Sequence, residues 1–235
     1  MIGTRAEIVI SKMASRSNQT TEKNYDAPIL FGLDDLDNYL TRLDDYIKKD
    51  IKEIEKHRPK SISSEEDFQI DHYIDEHKID LSGTNQILIE SALVAFYSYF
   101  ESQIFSFCRS IESNPENLQA MLKDIKKHNG DIDKYRILVQ KHYNITPTKQ
   151  FEASWNEIKG YHLMRKHLVY AFLSKKNQIS LLSHIKSNPK IWYDPKYGSF
   201  SISLEYVKDF SRVIFDFLAE LDYLVYQKTG SNTLI

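Results

Sequence analysis

The 235-residue sequence predicts an all-α fold with one small β-hairpin near its C-terminal helix. Three observations carry that reading. Glycine and proline are scarce, seven and six, so the chain holds few of the tight turns that a many-stranded sheet needs. Apolar residues recur at steps of three and four over long stretches, the period of a helix that buries one face. A single short stretch, residues 191–202, instead alternates apolar and polar side chains around turn-forming residues.

Residues 1–28 are polar, rich in Ser, Thr and Asn, and aperiodic. They read as a disordered N-terminal segment ahead of a single domain over 29–230. Leu33, Leu36, Leu40, Leu43, Ile47, Ile51 and Ile54 predict a helix from Leu33 to His57. Asp34, Asp35 and Asp37 would lie in its first turn, against the positive end of its dipole, and Pro59 stops it. Residues 60–80, charged and serine-rich, read as a linker, with a short helix as the alternative. Thr84 is expected to cap a second helix reaching Glu112, apolar around most of its circumference and therefore central. Pro115 opens a third helix, which Asn129-Gly130 closes. A short helix from Ile132 to His142 follows. Thr148 then caps a long helix to about Leu173, interrupted by Gly160 at a cost of roughly 1 kcal/mol against Ala. A short helix at 177–186, the hairpin, and an amphipathic helix from Leu204 to Tyr226 complete the chain.

Composition narrows the chemistry. An apolar fraction of 41% and a charged fraction of 27% suit a chain that buries a core. The one cysteine, Cys108, excludes an internal disulfide, fits a reducing compartment, and reads as a core filler among apolar neighbours. No apolar run reaches the ~18–20 residues of a membrane span, and Ile8-Val9-Ile10 is too short for a signal-peptide core. The expectation is a cytoplasmic protein with no membrane partner. The scattered glycines exclude a Walker or dinucleotide-binding loop, so no cofactor is expected. There is no Gly-x-Ser-x-Gly elbow and no histidine three residues after a carboxylate. His72 and Glu76 form an isolated pair in a polar segment, and no metal site is expected.

Net charge is −2, yet the charge is unevenly placed. Residues 33–80 hold 15 Asp/Glu against 8 Lys/Arg, a balance of −7, and residues 118–176 hold 12 Lys/Arg against 5 Asp/Glu, a balance of +7. A basic half attracts phosphate without a basic whole; equally, it can be a solvated face or one that docks on the acidic half. Within the basic half, the run Tyr161 to Phe172 sets cations among aromatic rings. Arg165 and Lys166 can bind phosphate as fork and point charge, and His162 or His167 can move protons near neutral pH. Arg165 and His162, three apart, share a helix face, whereas His167 lies about 160° from Arg165 at ~100° per residue. Glu101 is the one carboxylate inside the apolar central helix. The bland alternative is a structural helix with a basic outer stripe, and a Glu at a helix edge.

A tyrosine- and phenylalanine-rich central helix carrying Glu101, a later helix of the form Trp155…Ile158…Arg165-Lys166-x-x-Val169, and an apolar helix from Leu204 together resemble the HEPN superfamily of RNA-directed helical domains. The resemblance covers roughly residues 84–226. It implies a helical bundle that works as a homodimer. Members often carry Arg-x(4–6)-His, and the Arg and His of two protomers meet across the dimer. There they support metal-independent cleavage, in which the ribose 2′-hydroxyl attacks its own phosphate. Many are toxins or phage-defence components, so the implied partners are RNA, a second copy, and an antitoxin or defence-system protein. Arg165 matches the motif's Arg. Lys166 stands where Asn is usual, Tyr170 where the His is expected, and Phe172 where regulated members carry a modifiable Tyr.

The resemblance therefore implies that Arg165 stabilises the phosphorane and Lys166 steers the backbone. Tyr170, or else His167 or His162, would handle protons, with Glu101 in support. Tyrosine has an ordinary pKa of ~10 and is a poor base at pH 7. Three readings stay open: an RNA-cleaving effector, a catalytically silent module that binds RNA, nucleotide or a partner protein, and a helical scaffold.

Overall fold

The computed structural model describes residues 28–125, 131–170 and 174–230. The N-terminal segment up to residue 27, the Asn129-Gly130 helix end and Phe172 lie outside the described residues. Within them are seven helices and one hairpin: α1 (Pro28–Glu55), α2 (Glu65–Ile111), α3 (Pro115–Asp124), α4 (Asp131–His142), α5 (Lys149–Val169), α6 (Lys175–Ser187), β1 (Ile191–Asp194), β2 (Ser199–Ile202) and α7 (Leu204–Thr229). The all-α class with a small hairpin is as the sequence predicts.

Several boundaries differ from expectation. Helix α3 ends at Asp124, short of Asn129-Gly130, and α5 at Val169, short of Leu173. Helix α1 begins at Pro28, so no acidic residue falls in its first turn. Asp34, Asp35 and Asp37 lie a turn and more further in, where the dipole effect has faded. Pro28 suits a first helical position because its φ is already helical.

The larger correction concerns the expected linker and the Thr84 cap. Helix α2 is continuous over 47 residues from Glu65, about 70 Å at 1.5 Å per residue. Its start is a capping box: Ser64 Oγ accepts from the Asp67 N–H at 3.1 Å, and the Asp67 carboxylate accepts from the Ser64 N–H at 3.0 Å. The polar first half is held by its neighbour. Arg58, just past α1, pairs with Glu55, Asp71 and Asp75, and Lys78 reaches Glu55 at 3.0 Å. Further along, Asn85 donates to Asp44 at 3.0 Å. These pairs set α1 and α2 antiparallel, with Leu40 and Ile47 of α1 and Ile74 and Ile89 of α2 buried. Tertiary partners thus carry the helix through Gly83 and Thr84, where local propensity alone argues for a break.

The second half of α2 is the centre. Leu93, Phe96, Phe100, Ile104 and Cys108 are 0% exposed, and α2 touches α1, α3, α4, α5, α7 and β2. Cys108 is the expected core thiol; burial pushes its pKa up to about 12. Helix α5 packs on α2 and α7 and carries α6 beside it. Thr148 caps α5, its hydroxyl accepting from the Phe151 N–H at 3.0 Å. Asn114 and Ser203 cap α3 and α7 in the same way. Gly160, in mid-α5, marks a close approach: a Cβ there would overlap the His184 imidazole of α6 and stand 3.0 Å from its Nε2. That ring hydrogen-bonds the buried Tyr206 hydroxyl at 2.7 Å.

In the hairpin, Ile191 pairs with Ile202, Trp192 with Ser201, and Tyr193 with Phe200. Ile191, Tyr193, Phe200 and Ile202 pack against the core. Among the described residues, no helix is long and apolar enough to cross a membrane.

Candidate functional site

The last three turns of α5 lie against the middle of α2, and this contact assembles three of the six sequence-predicted residues around a fourth that was not singled out. Tyr97 of α2 is 1% exposed. The His162 ring lies 5.2 Å from the Tyr97 ring, and the Arg165 guanidinium carbon 5.2 Å from the same centroid. Glu101, one turn beyond Tyr97, is half-buried. Its negative field and the positive field of Arg165 both act on the Tyr97 phenol. Burial dominates there: it pushes the phenol well above its ordinary range, so Tyr97 is a neutral hydroxyl at any physiological pH.

His162 is pulled the other way. Burial first, then the nearby Lys166 and Arg165 charges, hold its pKa down at about 4. At pH 7 it is a neutral imidazole, and neither ring nitrogen finds a hydrogen-bond partner among the described residues; nor do Tyr97 Oη, Trp155 Nε1 and Arg165 Nε. A cavity of about 40 Å³ is lined by Tyr97, Ile132, Asp133, Trp155, Ile158, Lys159 and His162. At ~10–15 Å³ per water it takes a few waters. It is far below the ~300 Å³ of a small-molecule pocket. This cavity is too small for a nucleotide.

The remaining predicted residues stand elsewhere. Lys166 reaches His162 electrostatically from the next turn. His167 turns away and packs its ring 5.0 Å from Phe200 of the hairpin. Tyr170 ends the helix: its N–H donates to the Lys166 carbonyl at 2.9 Å, and its side chain is 53% exposed. Arg165, His167 and Tyr170 thus meet different surroundings within one protomer: the Tyr97 ring, the Phe200 ring and solvent. Arg165 forms no ion pair with any described carboxylate. His72 and Glu76 are 3.4 Å apart on the exposed start of α2, and no group of three metal-ligating side chains occurs among the described residues.

Two features escaped sequence reasoning. Tyr97 is an ordinary ring in an apolar run, and its only sequence signal is its place one turn before Glu101. The second signal was present and unread: residues 158–193 contain no Asp or Glu and seven Lys/Arg. Comparison with protein-family models, with curated proteins and with solved structures found no match.

Proposed function

We propose that this chain is a HEPN-like, RNA-associated module whose phosphate contacts are Arg165 and Lys166 at the C-terminal end of α5. The supporting observation is the state of Arg165. Its guanidinium is held over Tyr97 by a cation–π contact, worth ~0.5–2 kcal/mol; its Nε is buried without a partner, and no described carboxylate forms an ion pair with it. A pre-oriented guanidinium without a carboxylate keeps its terminal nitrogens, rather than the buried Nε, for an outside anion. The acid-free stretch around it supplies the attracting field. A toxin or phage-defence effector, with an antitoxin covering this face, is the setting that goes with the reading.

Binding is favoured over turnover in a single copy. General acid–base catalysis needs a group with a pKa near 7 within reach of the reacting proton. His162 is depressed to about 4 and shielded, and His167 is engaged with Phe200. A second reading, an endoribonuclease completed by two copies, is favoured by the exposed Val169 and Tyr170, 45% and 53%. This apolar pair at the end of α5 is where a second copy would bring its own Arg165 and Tyr170.

The test is affinity for mixed RNA, in EDTA, of the wild type and Arg165→Ala. A lost charge-assisted contact should weaken binding about 10- to 100-fold with helical content unchanged. Unchanged affinity in a folded variant removes Arg165 from the site. Arg165-dependent products ending in a 2′,3′-cyclic phosphate would favour the second reading.

A further inference from the structure

The hairpin exposes aromatic rings at the end of an acid-free, lysine-rich stretch of the sequence. In β1 the alternation turns Ile191 and Tyr193 to the core, which leaves Trp192 on the outer face, 61% exposed. Its cross-strand partner is Ser201, too small to cover an indole. At the tip, Tyr197 is 72% exposed, with Lys196 Nζ 4.9 Å from its ring centroid. Gly198, at φ +64, lets the turn close there. The two rings are on the order of 10 Å apart at ~3.3 Å per strand residue, a span that successive unstacked nucleotides can bridge.

A single exposed aromatic needs no explanation. This pair differs in its surroundings. The 36 residues before Asp194, from Ile158, carry seven Lys/Arg and no carboxylate. Helix α6, which packs on β1, presents exposed Lys175, Lys176 and Lys186. The end of α5, with Lys166, is tied to the hairpin through the His167–Phe200 contact. Lys190 is the exception, since it pairs with Asp209 of α7. Rings offered singly, Trp192 uncovered and Tyr197 with Lys196 over one face, beside exposed lysines are what unpaired bases and their phosphates require. Duplex stems hide the base faces and would leave the rings unused.

We infer that the hairpin is a stacking platform for single-stranded RNA. Bases lie on Trp192 and Tyr197, and phosphates are met by Lys175, Lys176, Lys186 and Lys196. The inference rests on the RNA reading above and names the form of RNA taken. It also gives the hairpin a task separate from the Arg165 contact.

The test uses the full chain with a labelled mixed-sequence single strand, the same strand annealed to its complement, and inorganic polyphosphate. The protein has two tryptophans. Trp155 is 1% exposed and Trp192 61%, so quenching of the emission on RNA addition reports Trp192. The single strand should bind more tightly than the duplex and quench the emission. Trp192→Ala and Tyr197→Ala should each weaken it about 5- to 100-fold, with duplex and polyphosphate affinity nearly unchanged. Trp192→Phe, which keeps a ring, should restore most of the affinity and abolish the quench. Single-strand affinity that depends on Arg165 but not on Trp192 or Tyr197 overturns the platform and leaves the RNA reading standing. Binding of polyphosphate as tight as RNA, insensitive to both rings, also overturns it. No RNA binding by the wild type overturns both.

Discussion

Replacing Gly160 by Ala should destabilise the protein, although in an isolated helix the change is favourable. Helix propensity alone gains ~1 kcal/mol from Gly→Ala. Here the new methyl would overlap Cε1 and Nδ1 of the His184 ring. That ring is not free to slide. Its Nε2 bonds the Tyr206 hydroxyl at 2.7 Å, and the Tyr161 and Tyr206 rings stand edge-on to it, each 6.0 Å away. If the ring stays, overpacking costs ~1–3 kcal/mol. If it swings out, the hydroxyl of Tyr206, 0% exposed, loses its partner at ~1–3 kcal/mol. A compromise of the two, less the propensity gain, leaves a net loss of up to roughly 2 kcal/mol. For a chain of this size, at ~2–4 °C per kcal/mol, that is up to roughly 8 °C in Tm. The assay is thermal and urea unfolding followed by far-UV circular dichroism. His184→Ala supplies the control, because in that background Gly160→Ala should become neutral or stabilising by up to ~1 kcal/mol. A stabilised Gly160→Ala in the wild type, or a penalty that persists without His184, refutes the close-packing argument.

Stability should also fall with acid between pH ~6.5 and ~4. His162 has a folded pKa depressed to about 4 against ~6.5 unfolded, and burial lowers His184 in the same direction. The unfolded chain therefore takes up protons first: the stability is complete above the unfolded value and is lost as pH falls towards the folded one. For the partly exposed His162 the loss is about 1–3 kcal/mol. His162→Phe, which keeps a ring against Tyr97, should flatten urea midpoints over that window, and a wild-type profile that is already flat would sink the idea. Tyr170→His is expected to leave the fold intact, since the side chain is an exposed helix end. It should raise cleavage in EDTA by ~10²–10⁴ if two copies form the site, and no product from either form favours the binding module. Sedimentation at tens of micromolar should show a dimer joined near Val169 and Tyr170, dissociated by Tyr170→Glu; a monomer at that concentration counts against a shared site.

Several elements are legible in the sequence because their determinants lie within a few residues of one another. Asn114, ahead of Pro115, and Thr148 each cap a helix by accepting from an N–H two or three positions on. The turn over 195–198 and the alternation of Ile191, Trp192 and Tyr193 are equally local, as is the three-residue spacing that puts His162 and Arg165 on one face. The all-round apolar run of α2 announced a central helix without naming its neighbours.

Tertiary structure decided the rest. Local propensity broke the chain at Gly83 and Thr84, yet Arg58, Asn85 and an antiparallel partner some tens of residues away carry α2 through unbroken. The meeting of Tyr97 with His162 and Arg165 joins residues more than 60 positions apart. It follows from the depth and rotation at which α5 settles on α2, set by Trp155 and Ile158 and by the space that Gly160 leaves for His184. The same packing turns His167 to Phe200 and leaves Tyr170 in water. Helical period fixes only the angles between side chains on one helix. Which of them lose water, and so which cations stay available and which histidine is held neutral, depends on surfaces contributed by other parts of the chain.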